Sequence, residues 1–194
     1  MRILIACEYS GIVRDAFLAK GHDAWSCDIL PTESPGPHYQ CDVLTILDKN
    51  WDMMIAHPPC THLSSSGAKH FPQKIKDGRQ KAALNFVKRL FECVIPKIAI
   101  ENPVGIISTI IRKPDQIIQP WQFGDMAQKT TCLWLHNLPK LTPTKIVDKG
   151  EFYISPSGKK LPKWYCDGGK DRQKNRSKTF PGIARAMADQ WGWK

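Results

Sequence analysis

The stretch Trp51-Asp-Met-Met-Ile-Ala-His-Pro-Pro-Cys60 decides how the rest of the chain is read. It begins as an apolar run without alternation, the pattern of a strand buried on both faces. Pro58 and Pro59 then end any hydrogen-bonded ladder, because proline has no backbone N–H and a fixed φ. A thiol, Cys60, is left at the mouth of a buried strand. Such a thiol is either a nucleophile or a packing group, and its neighbours decide which.

Downstream, Ile95-Pro-Lys-Ile-Ala-Ile-Glu-Asn-Pro103 has the same form: a buried strand ending in an acid, an amide and a proline. Between the two strands, Thr61–His70 is small, polar and glycine-containing, and is expected to be a mobile loop. Residues 73–94 are expected to form one helix, with Ala83, Phe86, Val87, Leu90 and Phe91 on its core face. Two adjacent strand–helix units therefore bring Cys60, Glu101 and Asn102 to strand C-termini. In an open parallel sheet, ligands bind in the crevice outside those ends.

Upstream, Arg2-Ile-Leu-Ile-Ala-Cys7 reads as a buried strand and Glu8-Tyr-Ser-Gly11 as a turn. Ile12, Val13, Ala16 and Phe17 recur at helical spacing up to Gly21, and Asp23–Asp28 is a second strand ending in an acid. Strand, turn, helix, strand and acid open a nucleotide-binding α/β fold, although Gly11 is the turn's one glycine. Asp28 stands where an acid meets ribose hydroxyls; the plain alternative is a cap or loop acid. After a loop with three prolines (31–38), a short strand near Tyr39–Val43 carries Asp42, and a brief helix runs to Lys49.

Beyond the second site strand, residues 104–112 read as a helix stopped by Pro114. Trp121–Gly124 and Thr131–Leu135 read as two antiparallel strands closing the sheet. Residues 151–166 read as a hairpin around Ser155-Pro-Ser-Gly158, 167–178 as a basic polar stretch, and Pro181–Trp191 as a helix with Ile183, Met187 and Trp191 on one face. With no repeat and no boundary, 1–194 is expected to be a single α/β domain.

Composition fits this picture. At 194 residues, 42% hydrophobic and 24% charged, the chain can build one full core. No run approaches a membrane span and no export signal is recognisable, so a cytoplasmic protein without membrane association is expected. Seven cysteines, none in a Cys-x-x-Cys pair, are expected to be reduced thiols, and no metal site is expected. Net charge is +10, and residues 140–194 hold 13 Lys or Arg against 5 Asp or Glu. Trp164, Tyr165, Phe180 and Trp191 are interleaved with that charge, which favours a polyanion-binding surface over a merely solvated face.

A thiol and an acid at neighbouring strand ends suit one chemistry well. Carbon 6 of a pyrimidine accepts a thiolate when ring nitrogen 3 is protonated or hydrogen-bonded, and a glutamic acid does that if burial raises its pKa. Carbon 5 then carries electron density that can take a methyl group from a sulfonium donor. Loss of the carbon-5 proton expels the thiol. His57 and His62 keep a Cys–His hydrolase as a rival. Against it, His57 shares the parity of Met53 and Ile55 and is expected to point into the sheet's packing, while His62 is in the loop.

On these residues the sequence resembles the DNA (cytosine-5)-methyltransferases, in the short form carried by phages and prophages. Pro58-Pro-Cys60 resembles the family's nucleophile motif, Ser64-Ser-Ser-Gly67 its mobile catalytic loop, and Glu101-Asn-Pro103, 41 residues after Cys60, its Glu-Asn-Val motif. The resemblance implies a Rossmann-like S-adenosylmethionine-dependent methyltransferase fold: a mostly parallel twisted sheet with helices on both faces. It implies catalytic roles for Cys60, Glu101 and Asn102. S-adenosylmethionine would be held by Cys7, Glu8, Ser10, Gly11, Ile12, Asp28, Ile29, Asp42, Val43 and Pro58, with Cys41-Asp42-Val43 resembling the family's Gly-Asp-Ile segment. The substrate cytosine would be met by Ser64, Ser65, Gly67 and Lys129. Ser177-Lys-Thr-Phe-Pro-Gly-Ile-Ala-Arg-Ala186 is similar to the family's last motif. DNA is the implied partner and a bacterial host cytoplasm the implied location.

The sequence also departs from the family. The first loop lacks most of the glycines, Gln128-Lys-Thr-Thr-Cys132 replaces Gln-x-Arg-x-Arg, and Ser177 replaces the usual Asn. Residues 136–175, a small basic insert, stand where the family has a large target-recognition domain. Low or short-motif sequence specificity is therefore expected, on duplex or single-stranded DNA. The rival classes are a catalytically inactive nucleic-acid-binding protein on the same fold, and the same chemistry on RNA, on a free nucleotide or with a modified donor.

Overall fold

The computed structural model describes residues 1–166 and 169–192. Strand β1 (Arg2–Ala6) leads into helix α1 (Ile12–Leu18), and β2 (Asp23–Asp28), β3 (His38–Gln40) and β4 (Met53–Ala56) follow. A 3-10 turn over Ser65–His70 runs into α2 (Phe71–Lys76) and then α3 (Arg79–Phe91). Next come β5 (Lys97–Pro103), α4 (Ile107–Ile110), β6 (Gln116–Ile118) and β7 (Thr131–His136). The remaining elements are β8 (Phe152–Ile154), β9 (Lys160–Pro162), α5 (Lys163–Cys166), α6 (Arg172–Ser177) and α7 (Pro181–Trp191).

Seven strands form one sheet in the order β3-β2-β1-β4-β5-β7-β6. Neighbours from β3 through β5 pair in parallel, and β7 pairs antiparallel with both β5 and β6. Strand order turns back between β1 and β4, so the chain leaves the sheet in opposite directions there and opens a crevice at the strand C-termini.

The apolar strands are buried on both faces. Ile3, Ile5, Met53, Ile55 and Ala99 point to one side, against Val13 and Phe17 of α1 and Ile183, Met187 and Trp191 of α7. Leu4, Ala6, Met54, Ala56, Ile98 and Ile100 point to the other, against Val87 and Leu90 of α3 and Ile107 of α4. Helices thus cover both faces, as the lack of alternation requires.

Several boundaries differ from the sequence reading. The single helix expected over 73–94 is two, because Gly78 adopts φ 79°, which ends one and begins the next. The helix expected over 104–112 is one turn, Ile107–Ile110. Trp121–Gly124 is not a strand: Pro120 opens a 3-10 turn over Pro120–Gln122, and the strand pairing with β7 is the earlier Gln116–Ile118. Asp42 lies just past β3, where its side chain accepts the Leu44 N–H of the next turn. The hairpin over 151–166 is present, pairing Phe152 with Pro162 and Ile154 with Lys160. Of the basic stretch 167–178, Asp167 and Gly168 lie outside the described residues, as do the last two residues of the 1–194 domain.

Candidate active site

Cys60 and Glu101 leave neighbouring parallel strands at the same edge. Ala56 stands opposite Ile100, so the next pair outward is His57 beside Glu101. Their side chains meet, with His57 Nδ1 3.3 Å from Glu101 Oε2, and only 7% and 11% of the two side chains is exposed. The parity noted for His57 is kept, but one step beyond β4 that face holds a carboxylate instead of apolar packing. Asn102 is buried, and its Nδ2 donates to the Pro58 carbonyl at 2.7 Å, clamping the two-proline turn that presents Cys60.

Charge at the site is shaped by β7. Because that strand is antiparallel, it enters the sheet where its parallel neighbours leave, bringing Lys129 and Thr131 to Glu101. Burial pushes the Glu101 carboxyl up, but the His57 hydrogen bond, the Lys129 charge and the Thr131 hydroxyl outweigh it, and the net shift is downward. The sequence reading had supposed a carboxyl raised by burial; the cationic and hydrogen-bonding partners reverse that. The Cys60 thiol is pushed up by burial and then by the Glu101 charge, with Lys129 and Lys74 opposing.

Beside this pair lies a cavity of about 400 Å³. Its walls include Cys7, Asp28, Ile29, Asp42 and Val43 from the ends of β1, β2 and β3, facing Pro59, His62 and the Arg79, Ala82, Ala83 and Phe86 face of α3. Cys7 has a left-handed backbone, φ 58°, which turns the chain off β1. Asp28 and Asp42 each spend one carboxylate oxygen on a backbone N–H, of Leu30 and Leu44. Ile29 leaves 73% of its surface open at the rim.

Other candidates lie elsewhere. Glu8 turns under α1, where its carboxylate accepts the N–H groups of Val13 and Arg14 and the Ser10 hydroxyl. Ser10 belongs to the same turn and Ile12 opens α1; like Glu8, Gly11 and Pro58, neither lines the cavity. Gly11 is the turn's one glycine for a physical reason: its φ is 77°, and a Cβ there would meet Arg14 Nη2 at 2.5 Å. Arg14 is fully buried and binds Ser26, Thr32 and the Ser34 carbonyl, bracing the proline-rich loop 31–38.

Thr61–His70, expected as a free loop, is tied to the segment after β5. Ser65 donates twice to the Val104 carbonyl, Ile106 N–H donates to Leu63, and Ser64 bridges to Gly105. Ser64 also accepts the Ser66 N–H, and Gly67 packs near Lys74, whose Nζ donates to the Thr61 carbonyl at 2.5 Å. Lys129 Nζ donates to the Lys178 carbonyl at 3.1 Å, linking the site to the basic C-terminal segment. There Lys174 and Lys178 both pair with Glu33. Among the described residues no group of three or more His, Cys, Asp or Glu could hold a metal, and no helix is long and apolar enough to cross a membrane.

No protein-family model and no curated protein matches the chain. Several solved structures do, among them that of a presumed DNA modification methyltransferase encoded within an E. coli prophage. What the two share is the fold. The TM-score is 0.51 at 16% identity, over 75% of this chain and 51% of that one. The chain thus spans about half the length of that structure.

Sequence reasoning missed the His57–Glu101 contact, the Thr131 hydroxyl, and the wall made by His62 and α3. The first follows from register, since Ala56 stands opposite Ile100 and His57 and Glu101 are the next residues of each strand. The wall was recoverable from the i, i+3, i+4, i+7 spacing of Arg79, Ala82, Ala83 and Phe86.

Proposed function

We propose that this chain is an S-adenosylmethionine-dependent DNA methyltransferase of Rossmann-like fold that modifies carbon 5 of cytosine through a Cys60–C6 adduct. One observation carries the reading: Cys60 and Glu101 converge at adjacent strand ends, beside a cavity rimmed by Asp28 and Asp42. The cavity's chemistry fits the cofactor. Two acids suit ribose and adenine donors, and Ile29, Val43 and Phe86 suit an aromatic face. When bound, S-adenosylmethionine supplies an electrophilic methyl group.

The chain's own residues do the rest. Glu101 engages ring nitrogen 3, which lets Cys60 sulfur bond to carbon 6. Asn102 holds the Pro58 turn so that the thiol faces the ring. Lys129 limits the charge repulsion between sulfur and carboxylate. The β8–β9 hairpin has three residues per strand, enough for phosphate contacts and few base contacts, which supports weak or short-motif specificity. Extruding a base costs a few kcal/mol, so single-stranded or distorted DNA is the easier substrate.

Incubation with methyl-labelled cofactor and single- or double-stranded DNA tests this. Label on cytosine carbon 5 is expected, abolished by Cys60→Ser with cofactor binding retained. DNA carrying 5-fluorocytosine should trap the protein covalently, since fluorine cannot leave as the proton does. No transfer to any DNA form sinks the reading.

A further inference from the structure

Glu101 is held as a carboxylate, and a carboxylate has no proton to give to ring nitrogen 3. The charged or titratable groups facing it are His57 after β4, Cys60 in the two-proline turn, Lys129 before β7, and Cys132 on β7. Thr131 adds a hydroxyl. Lys129 is engaged with the Lys178 carbonyl. His57 alone is in direct contact through a ring nitrogen, one that can carry a proton.

The placement of His57 is tightly specified. Its backbone N–H donates to the Ala6 carbonyl at 2.9 Å, and Asn102 grips the carbonyl of the next residue. Nδ1 meets Glu101 Oε2, while the buried Nε2 has no partner among the described residues, and neither has Asn102 Oδ1. Most buried polar side-chain atoms find a hydrogen-bond partner. His57 spends one on the catalytic acid and keeps the other uncommitted within the site.

We propose that His57 is a positioning residue for Glu101, fixing its carboxyl through Nδ1 and supplying the proton that Glu101 carries to ring nitrogen 3. The role rests on the cytosine-5 reading above. With His57 as imidazolium, the N–H bond at Nδ1 breaks and an O–H bond forms at Glu101, while the S–H bond of Cys60 breaks as its sulfur bonds to C6 and that proton passes to solvent. The proton on Glu101 then bonds to ring nitrogen 3. His57 is left as neutral imidazole, and Glu101 is again a carboxylate. The reverse transfer accompanies release of the thiol.

The test compares His57→Gln, which keeps an N–H donor but cannot titrate, and His57→Phe with the unsubstituted protein across pH 5 to 9, reading kcat and KM separately. His57→Gln should leave KM for DNA within about twofold and lower kcat by roughly a hundredfold, the lower end of general-acid effects. Its alkaline limb should move toward acid, because a carboxyl alone gives up its proton at lower pH than an imidazole does. An unchanged limb with kcat restored in His57→Gln would overturn the proposal and leave the Cys60 thiol as the proton source. A nitrogen-15 NMR arm needs no activity. The Nδ1–H signal of His57, assigned by its absence in His57→Gln, should be lost to solvent exchange in Glu101→Leu, which has no acceptor. An identical signal in Glu101→Leu overturns the pairing. Absence of methyl transfer by the unsubstituted protein instead sinks the cytosine-5 reading, while the NMR arm still decides whether His57 holds Glu101.

Discussion

Cys60 rests as a thiol, not a thiolate. Burial and then the Glu101 charge raise it, and Lys129 and Lys74 recover only part of that. Ionisation is thereby coupled to the charge on Glu101, because anything that neutralises that carboxylate eases loss of the Cys60 proton. Alkylation by iodoacetamide, read by mass spectrometry at Cys60, should be slow at pH 7 and rise with pH. Glu101→Gln removes a raising charge, so at pH 8 it should speed alkylation severalfold while abolishing methyl transfer. Lys129→Met removes a lowering charge and should slow it. The opposite order would mean that these charges do not act on the thiol. At this scale the strand-end places of Cys60, Glu101 and Asp28 were legible, while Asp42 falls past the short, polar β3. The sign of the Glu101 shift was not, since it depends first on the His57 hydrogen bond and then on Lys129 and Thr131, which stand 28 and 30 residues further along.

At the level of elements, the link between the Cys60 turn and β5 runs through backbone. The segment Leu63–Ser64 lies directly on Gly105, where a Cβ would fall 2.1 Å from the Leu63 carbonyl oxygen. No side chain can move aside to make room. Gly105→Ala should cost about 1–3 kcal/mol in urea unfolding, the usual range for forced overpacking, and lower methyl transfer by displacing the turn that holds Cys60. Gly158→Ala at the hairpin tip is the contrast. Its φ is 75° but nothing lies within 4 Å, so about 1 kcal/mol of left-handed strain is expected and no loss of transfer. The buried strands were readable from their apolar runs. Tertiary contacts explain what was not: a polar, glycine-containing stretch looks mobile until Val104, Gly105 and Ile106 are seen to bind it. Likewise β6 is a three-residue strand too short to show a period.

Across the whole molecule, thiols set the alkaline limit of stability. Cys7, Cys27, Cys60, Cys93 and Cys132 are all pushed up, chiefly by burial, with Cys27 at about 12 beside Cys41. A group whose folded pKa exceeds its unfolded value stabilises fully below the unfolded value and loses that contribution as pH rises through the folded one. The midpoint of thermal unfolding should therefore hold steady below pH ~8.5, the ordinary thiol value, and fall steadily toward pH 12. Under reducing conditions a flat profile across that window would contradict it. The parallel sheet and the basic C-terminal bias were legible in the sequence. The reversal at β7 was read in part, with its partner strand misplaced. That reversal matters for how such a scaffold can diversify. A site served only by parallel strands can be retuned only through loops that follow them. An antiparallel neighbour adds a loop that arrives, so residues 119–130 can be lengthened, shortened or exchanged to alter the side that carries Lys129 while the walls lined by Asp28 and Asp42 stay untouched.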